Sequence, residues 1–274
     1  MRVLHILPSI RGYGAERLIV ELLKQLPSRE IDAALLTIYE PPAGTQLPFQ
    51  VLHAGRKNRR DRFFLWRLTQ QIRRYKPDIV HTHTHVGKYW GRVAALLAGV
   101  PRIVHTEHNP CDVRRTSVER VADRLLHRAT SRVVTFFDDQ AVLLSELDRL
   151  PTRKLVAIPN GLMPSGLHEE RLPARRRLEL GGDQFAILLI GRMEYQKNHI
   201  LALRSFAALP PQTRAKSVLF FAGSGENEIM LRALTHGLKI AERVRFLGYR
   251  TDVPELLPGA DLVLMTSWFE GMPL

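Results

Sequence analysis

The sequence has almost no cysteine. Cys111 stands alone among 274 residues, so no intramolecular disulfide is possible and a reducing, cytoplasmic setting is expected. Long apolar runs are also missing: no window reaches the ~18 residues that a spanning helix needs. The apolar start, MRVLHILPSI, is too short for a leader and lacks a small-residue cleavage pattern, so it reads as a first strand. Acid is scarce: 27 Asp and Glu face 40 Lys and Arg, a net charge of +13. The first 150 residues hold 24 cations and 15 acids (+9), the remainder 16 and 12 (+4). Such a field suits nucleic acid, anionic lipid or a phosphorylated small molecule. No nucleic-acid motif accompanies it, so a nucleic-acid partner is not expected.

What is present is an alternation of short apolar strands and amphipathic helices. Strands are expected at 3–7, 33–39, 50–52, 79–83, 102–106, 132–136 and 154–158. Helices are expected at 15–26, 62–75, 88–98, 118–128 and 138–148. Residues 159–180, rich in Pro, Gly and Arg without a clean period, read as a linker. A second series follows, with strands at 185–190, 217–221, 244–247 and 262–265 and helices at 199–209, 226–237 and 253–257. Strands joined by helices imply parallel sheets, hence α/β layers that are doubly wound. A helix is expected after Pro273 and none is supplied, so the chain reads as C-terminally truncated.

Ligands of such sheets sit at the carboxyl ends of strands. Four stretches fit. Gly12-Tyr13-Gly14 precedes the first helix, but Arg17 occupies the third glycine position of a dinucleotide fingerprint. His81, His83 and His85 fall at every second residue of a strand end, on one face. His105 and His108 follow; His105, inside a strand, reads as a core residue, and His108 as a hydrogen-bonding group past the strand end. No zinc spacing is matched, so no metal is expected. Gly191-Arg192 and Lys197 set a fork and a point charge where an anion could sit. Glu270-Gly271-Met272-Pro273 puts a carboxylate at a strand mouth before a proline suited to a helix start.

In their order, these stretches resemble retaining glycosyltransferases of the GT-B fold, family 4. Pro77-Asp78-Ile79-Val80-His81-Thr82-His83, Thr106-Glu107-His108, Ile158-Pro159-Asn160-Gly161, Phe221-Ala222-Gly223-Ser224-Gly225 and Phe246-Leu247-Gly248 add to the resemblance. It implies two Rossmann-like domains facing a cleft, the second incomplete. Residues 1–165 would bind the acceptor and 166–274 the nucleotide-sugar donor, UDP- or GDP-linked, without cofactor or metal. Arg192 and Lys197 would neutralise the donor diphosphate, Glu270 would hold sugar hydroxyls, and His108 would lie near the anomeric centre. Gly14, Gly248, Tyr249, Gly271, Met272, Pro273 and Leu274 would complete the donor site. Gly12, Tyr13, His83, His85 and Asn160 are candidates for the acceptor side. The chain departs from the family at Tyr13, where a second adjacent glycine is usual, and at Phe137-Asp138-Asp139, where a serine is common. The family's second acidic residue would fall past Leu274, so weak or absent turnover is expected.

Residues 56–76 carry nine Lys or Arg and one acid, Asp61, with Phe63, Phe64, Leu65 and Trp66 interleaved. Contact with an anionic membrane at the inner face is expected there, although Leu65, Leu68, Ile72 and Tyr75 have the spacing of a core face. Two rival readings share the architecture: a sugar-nucleotide epimerase, and a non-catalytic binding or scaffold protein.

Overall fold

The computed structural model describes residues 1–10, 14–58, 60–108, 116–161 and 170–273. The expectations for Gly12, Tyr13 and Leu274 fall outside these. The chain divides into two compact units, Met1–Met163 with Gly271–Leu274, and Pro164–Glu270.

The first unit runs β1 (Arg2–Leu7), α1 (Gly14–Gln25), β2 (Asp32–Thr37), β3 (Val51–His53), α2 (Phe64–Tyr75), β4 (Ile79–His83), α3 (Thr84–Val86), α4 (Arg92–Ala98), β5 (Arg102–Thr106), α5 (Ser117–Ala129), β6 (Arg132–Thr135), α6 (Asp138–Asp148) and β7 (Leu155–Ala157). Its seven strands are parallel, in the order β3-β2-β1-β4-β5-β6-β7. Alternation along β1 sorts its side chains. Leu4 and Ile6 join Val80 and Ile103 under Leu68 and Ile72 of α2 and Ala94 and Ala95 of α4. Leu7 packs the other way, on Ile19 and Leu23 of α1. His5 shares the Leu7 face.

The second unit runs α7 (Arg171–Arg177), β8 (Phe185–Ile190), α8 (His199–Ala207), α9 (Pro211–Lys216), β9 (Ser217–Ala222), α10 (Glu228–Gly237), β10 (Val244–Gly248), α11 (Val253–Leu256) and β11 (Leu262–Val263). Its four parallel strands are ordered β10-β9-β8-β11. Both units are Rossmann-like α/β layers, with β9 buried at all six positions.

Three expectations need correction. The expected linker 159–180 contains α7. That helix has little apolar period because ion pairs hold it: Arg175 reaches Asp261 at 3.2 Å, Arg171 pairs with the same carboxylate, and Asp261 also accepts the Ala186 amide at 2.7 Å. The expected helix 88–98 starts earlier, with α3, and passes through a wide π-type turn, Gly87–Gly91, before α4. A side chain at Gly91 would meet Thr82 Cγ2 at 2.9 Å, so glycine lets this turn press on the sheet. Finally, His85 does not share a face with His81 and His83. Thr84 takes a left-handed φ of 58°, which breaks the strand alternation. His85 swings out to Glu119, 3.0 Å away, with its side chain 64% exposed.

Candidate functional site

In the second unit three strand ends are laced together by main chain. The Gly191 amide donates to Ala222 O at 3.0 Å, Met193 to Ser224 O at 3.0 Å, and Gly223 to Gly248 O at 2.8 Å. This requires very close approach. A Cβ on Gly223, whose φ is +154°, would stand 2.0 Å from the Gly191 carbonyl oxygen. The glycines therefore define a flat ledge at the mouths of β8, β9 and β10, and Lys197 lies across it. A Cβ at Gly191 would touch the aliphatic stem of Lys197 at 3.0 Å.

The Lys197 ammonium is held there by Glu270, Nζ to Oε1 2.6 Å. Both side chains remain partly accessible, at 23% and 17%. Gln196 reinforces the arrangement, donating to Phe269 O at 3.1 Å and to Glu270 Oε2 at 3.4 Å. Trp268 donates its amide to Gln196 O at 2.9 Å, and its ring stacks on Tyr195. Thr266 Oγ1 caps the carbonyls of Lys197 and Asn198, each at 3.1 Å. Two segments far apart in sequence thus place a cation and a carboxylate side by side at a strand mouth. Arg192, half-exposed on the same loop, pairs with Glu194 at 2.7 Å. Gly248 carries a left-handed φ of 66°, and Tyr249 beside it is half-exposed.

The first unit offers a different surface. His5 on β1 is in register with His81 on β4, and His83 follows two residues on, so all three rings share one face. His5 Nδ1 lies 2.9 Å from His83 Nε2, and His83 Nδ1 lies 3.2 Å from His108 Nε2. His81 Nε2 is engaged by Thr106 Oγ1 at 2.8 Å. Burial holds His5 and His108 down to about 4. Burial, and then the neighbouring imidazoles, push His81 and His83 well below the ordinary histidine value. These rings are neutral hydrogen-bonding groups near neutral pH. Ring nitrogens of His5, His81 and His83 lie within 4.8 Å of one another, a span one metal ion could bridge. Spacing alone does not show this, because His5 stands 78 residues before His83.

Behind His108 lies a buried ionic cluster that sequence reading missed. Lys88 reaches Glu107 at 2.8 Å and Asp123 at 3.1 Å, and Arg92 reaches Asp123 at 2.9 Å. Burial pushes the Glu107 carboxyl up, but Lys88 and His105 together hold it well below the usual range. His105, expected in the core, is fully buried there, its Nδ1 3.0 Å from both Thr82 Oγ1 and Thr82 O. Gln140 Nε2 donates to Glu107 O at 2.9 Å, while its Oε1 accepts from the Phe136 amide. Lys88 and Arg92 lie in consecutive turns of one face, a spacing that could have flagged them; their acidic partners come from other elements.

Of the remaining expected residues, Gly14 opens α1, and Asn160 Nδ2 donates to Met272 O at 2.8 Å. Gly271 and Met272 form a bend, and Pro273 belongs to no regular element. No helix among the described residues is long and apolar enough to cross a membrane.

Comparison with known proteins fits this arrangement. Residues 170–274 match the model for glycosyl transferases group 1. The chain is 28% identical, over 95% of its length and 72% of the relative's, to the UDP-Gal:alpha-D-GlcNAc-diphosphoundecaprenol alpha-1,3-galactosyltransferase of Escherichia coli. HepE (Alr3699) of Anabaena, solved in complex with UDP and glucose, superposes with a TM-score of 0.81 at 21% identity, over 97% of this chain and 74% of that one. WaaG, a glycosyltransferase involved in lipopolysaccharide biosynthesis, gives a TM-score of 0.77 at 18% identity, over 97% and 75%. Residues 13–165, more than half of the chain, match the model for Glycosyltransferase Family 4, and the chain belongs to that family.

Proposed function

We propose that this glycosyltransferase moves a hexose from a nucleotide-sugar donor to a glycan or lipid-linked acceptor, with retention of configuration, and that UDP is the leaving group. The observation that carries the reading is the Lys197–Glu270 pair, 2.6 Å apart on a glycine ledge at the end of β8. Leaving-group departure builds negative charge on a diphosphate, and fixed cations stabilise it without a metal. Lys197 and Arg192 supply that charge. Glu270 holds Lys197 in place and accepts from donor hydroxyls. Gly248 and Tyr249 lie beside the base, and Gly14 and residues 271–273 complete the donor site. The second unit takes the donor, and the first takes the acceptor through His85 and Asn160; His83, expected beside them, is fully buried with both ring nitrogens turned to other imidazoles and does not reach an acceptor. His108 contacts the transferred sugar. The E. coli relative, which uses UDP-Gal, and the UDP complex of HepE support a UDP donor.

The diphosphoundecaprenol acceptor of that relative supports a lipid-linked acceptor and a peripheral place at an anionic membrane. The segment 56–76 suits it: α2 buries Phe64, Leu68, Ile72 and Tyr75, and leaves Phe63 72% and Trp66 62% exposed among cations. Titration with UDP, GDP and their sugars tests the donor. Binding of UDP and UDP-sugars in preference to GDP and its sugars, lost in Lys197→Ala, is the expected result. Equal affinity of the unsubstituted chain and Lys197→Ala for UDP would overturn it.

A further inference from the structure

We infer that His5 and His83 are positioning residues which decide, through a chain of imidazoles, the ring nitrogen of His108 that carries its proton. A neutral imidazole has one donor and one acceptor nitrogen. His83 spends one on each neighbour: Nε2 faces His5 Nδ1 at 2.9 Å, and Nδ1 faces His108 Nε2 at 3.2 Å. It therefore hands on the polarity it receives. If His83 donates to His5, its Nδ1 is bare, and His108 must donate from Nε2, leaving Nδ1 as an acceptor for a ligand. If His5 donates, His83 donates in turn, and His108 accepts at Nε2 and offers Nδ1–H. Any mixed arrangement sets two lone pairs or two protons against each other inside the protein, where the loss is not repaid by water.

The rings have little freedom to escape this choice. His5 and His83 stand on hydrogen-bonded neighbours, β1 and β4, and their ring planes lie 3° apart. His108 packs edge-on against Phe136, with centroids 5.4 Å apart. His81 flanks both inner rings, at 4.9 and 4.2 Å between centroids, but its Nε2 is engaged by Thr106. The nearby Glu107 carboxylate is turned to Lys88 and, at 3.6 Å, to His105. Burial keeps the chain uncharged, since His5 and His108 are both held near 4. A residue on the first strand thus selects whether His108 presents a proton or a lone pair.

The kinetic consequence rests on the role given to His108 above; the coupling itself does not. The test is nitrogen NMR on the full chain labelled with ¹⁵N-histidine near neutral pH. A single His108 tautomer is expected, with ¹⁵N–¹⁵N couplings across both the His5–His83 and the His83–His108 hydrogen bonds. His5→Leu should shift the His108 ring nitrogens toward a mixture of tautomers, and His5→Asn, whose amide can take the place of Nδ1, should restore them. Transfer by His5→Leu should lose on the order of tenfold in kcat at constant KM, short of the ~10²-fold or more that losing an acid or base costs. Absence of either coupling in the unsubstituted chain, or an unchanged His108 in folded His5→Leu, overturns the inference. Should His5→Leu fail to fold, the couplings decide alone. If the couplings hold and Lys197→Ala binds UDP as tightly as the unsubstituted chain, the proposed function falls and the coupling stands.

Discussion

The two units present polar groups at the mouths of parallel sheets by opposite means. The first uses imidazoles sunk into the strands and stripped of charge; His5, His83 and His105 are at most 2% exposed. The second uses formal charge, with Lys197, Glu270 and Arg192 on loops at the rim, each still reached by solvent. The difference follows from desolvation. A neutral ring that finds a hydrogen bond loses little on burial, whereas an ion that must meet another ion has to stay near water or bring a partner. Where the first unit does bury charge, at Lys88, Arg92, Glu107 and Asp123, the ions come already paired.

Acid should separate the two units most strongly. His5, His105 and His108 are held near 4 in the folded first unit, against the ordinary 6.5. The unfolded chain takes up protons first, so their contribution is whole above pH 6.5 and is lost as pH falls toward 4. Each is worth on the order of 3 kcal/mol across that window, and the three are not additive. Among the described residues the second unit has one such ring, His199. Hydrogen exchange between pH 7 and pH 4 should show β1, β4 and β5 losing protection well before β8 and β9. Simultaneous loss would show that buried neutral histidine does not distinguish the units.

Glycine packing is the corresponding weakness of the second unit. Gly223→Ala drives a Cβ onto a carbonyl oxygen at 2.0 Å, where neither backbone has room to yield. A loss of about 4 kcal/mol or more is expected, in the range reserved for gross misfit. Gly191→Ala meets only the flexible Lys197 stem at 3.0 Å, although its φ of +157° still disfavours a side chain. It should cost roughly 1–3 kcal/mol. Denaturant melts that rank the two the other way would show that the ledge is not backbone-limited.

Charge at the rim should matter to chemistry more than to folding. Lys197→Ala is expected to lower transfer by roughly 10²–10³-fold, about 3–4 kcal/mol in the barrier. Thermal stability should move by no more than ~1 kcal/mol, because the pair is partly solvated. Normal transfer with a large stability loss would make Lys197 a strut and not a ligand for the diphosphate.

Much of this architecture is legible in sequence because parallel strands buried on both faces leave apolar runs, as at 185–190, and amphipathic helices leave a period. The helix 171–177 left none, since Asp261 holds it from 86 or more residues away. The glycine and cation of the 191–197 loop were visible as chemistry, and the Lys197–Glu270 contact supplied their geometry. His5 was invisible because nothing local marks it; register with β4 gives it a role. His85 was misplaced because strand alternation was carried one step past Thr84, where the backbone turns left-handed.

The smallest effect concerns the surface that the first unit adds and the second does not share. On α2 the buried face is occupied by Phe64, Leu68, Ile72 and Tyr75, and Arg56 lies over the Phe64 ring at 4.1 Å. Arg67 is committed inward, to Ala54 O at 2.7 Å and Asp61 at 2.6 Å. Arg73 likewise donates to Leu97 O at 2.7 Å. Lys57, Arg60, Arg62, Phe63, Trp66 and Arg74 are the exposed members. Trp66→Ser should therefore change folding stability by less than ~0.5 kcal/mol. Its effect belongs on the membrane, where an indole at the headgroup boundary works together with about 1 kcal/mol per nearby cation. Co-sedimentation with vesicles containing anionic lipid should weaken in Trp66→Ser and disappear at high salt. Binding that ignores both lipid charge and the indole would leave these cations as an ordinary solvated face, and the two units would then differ only at their strand ends.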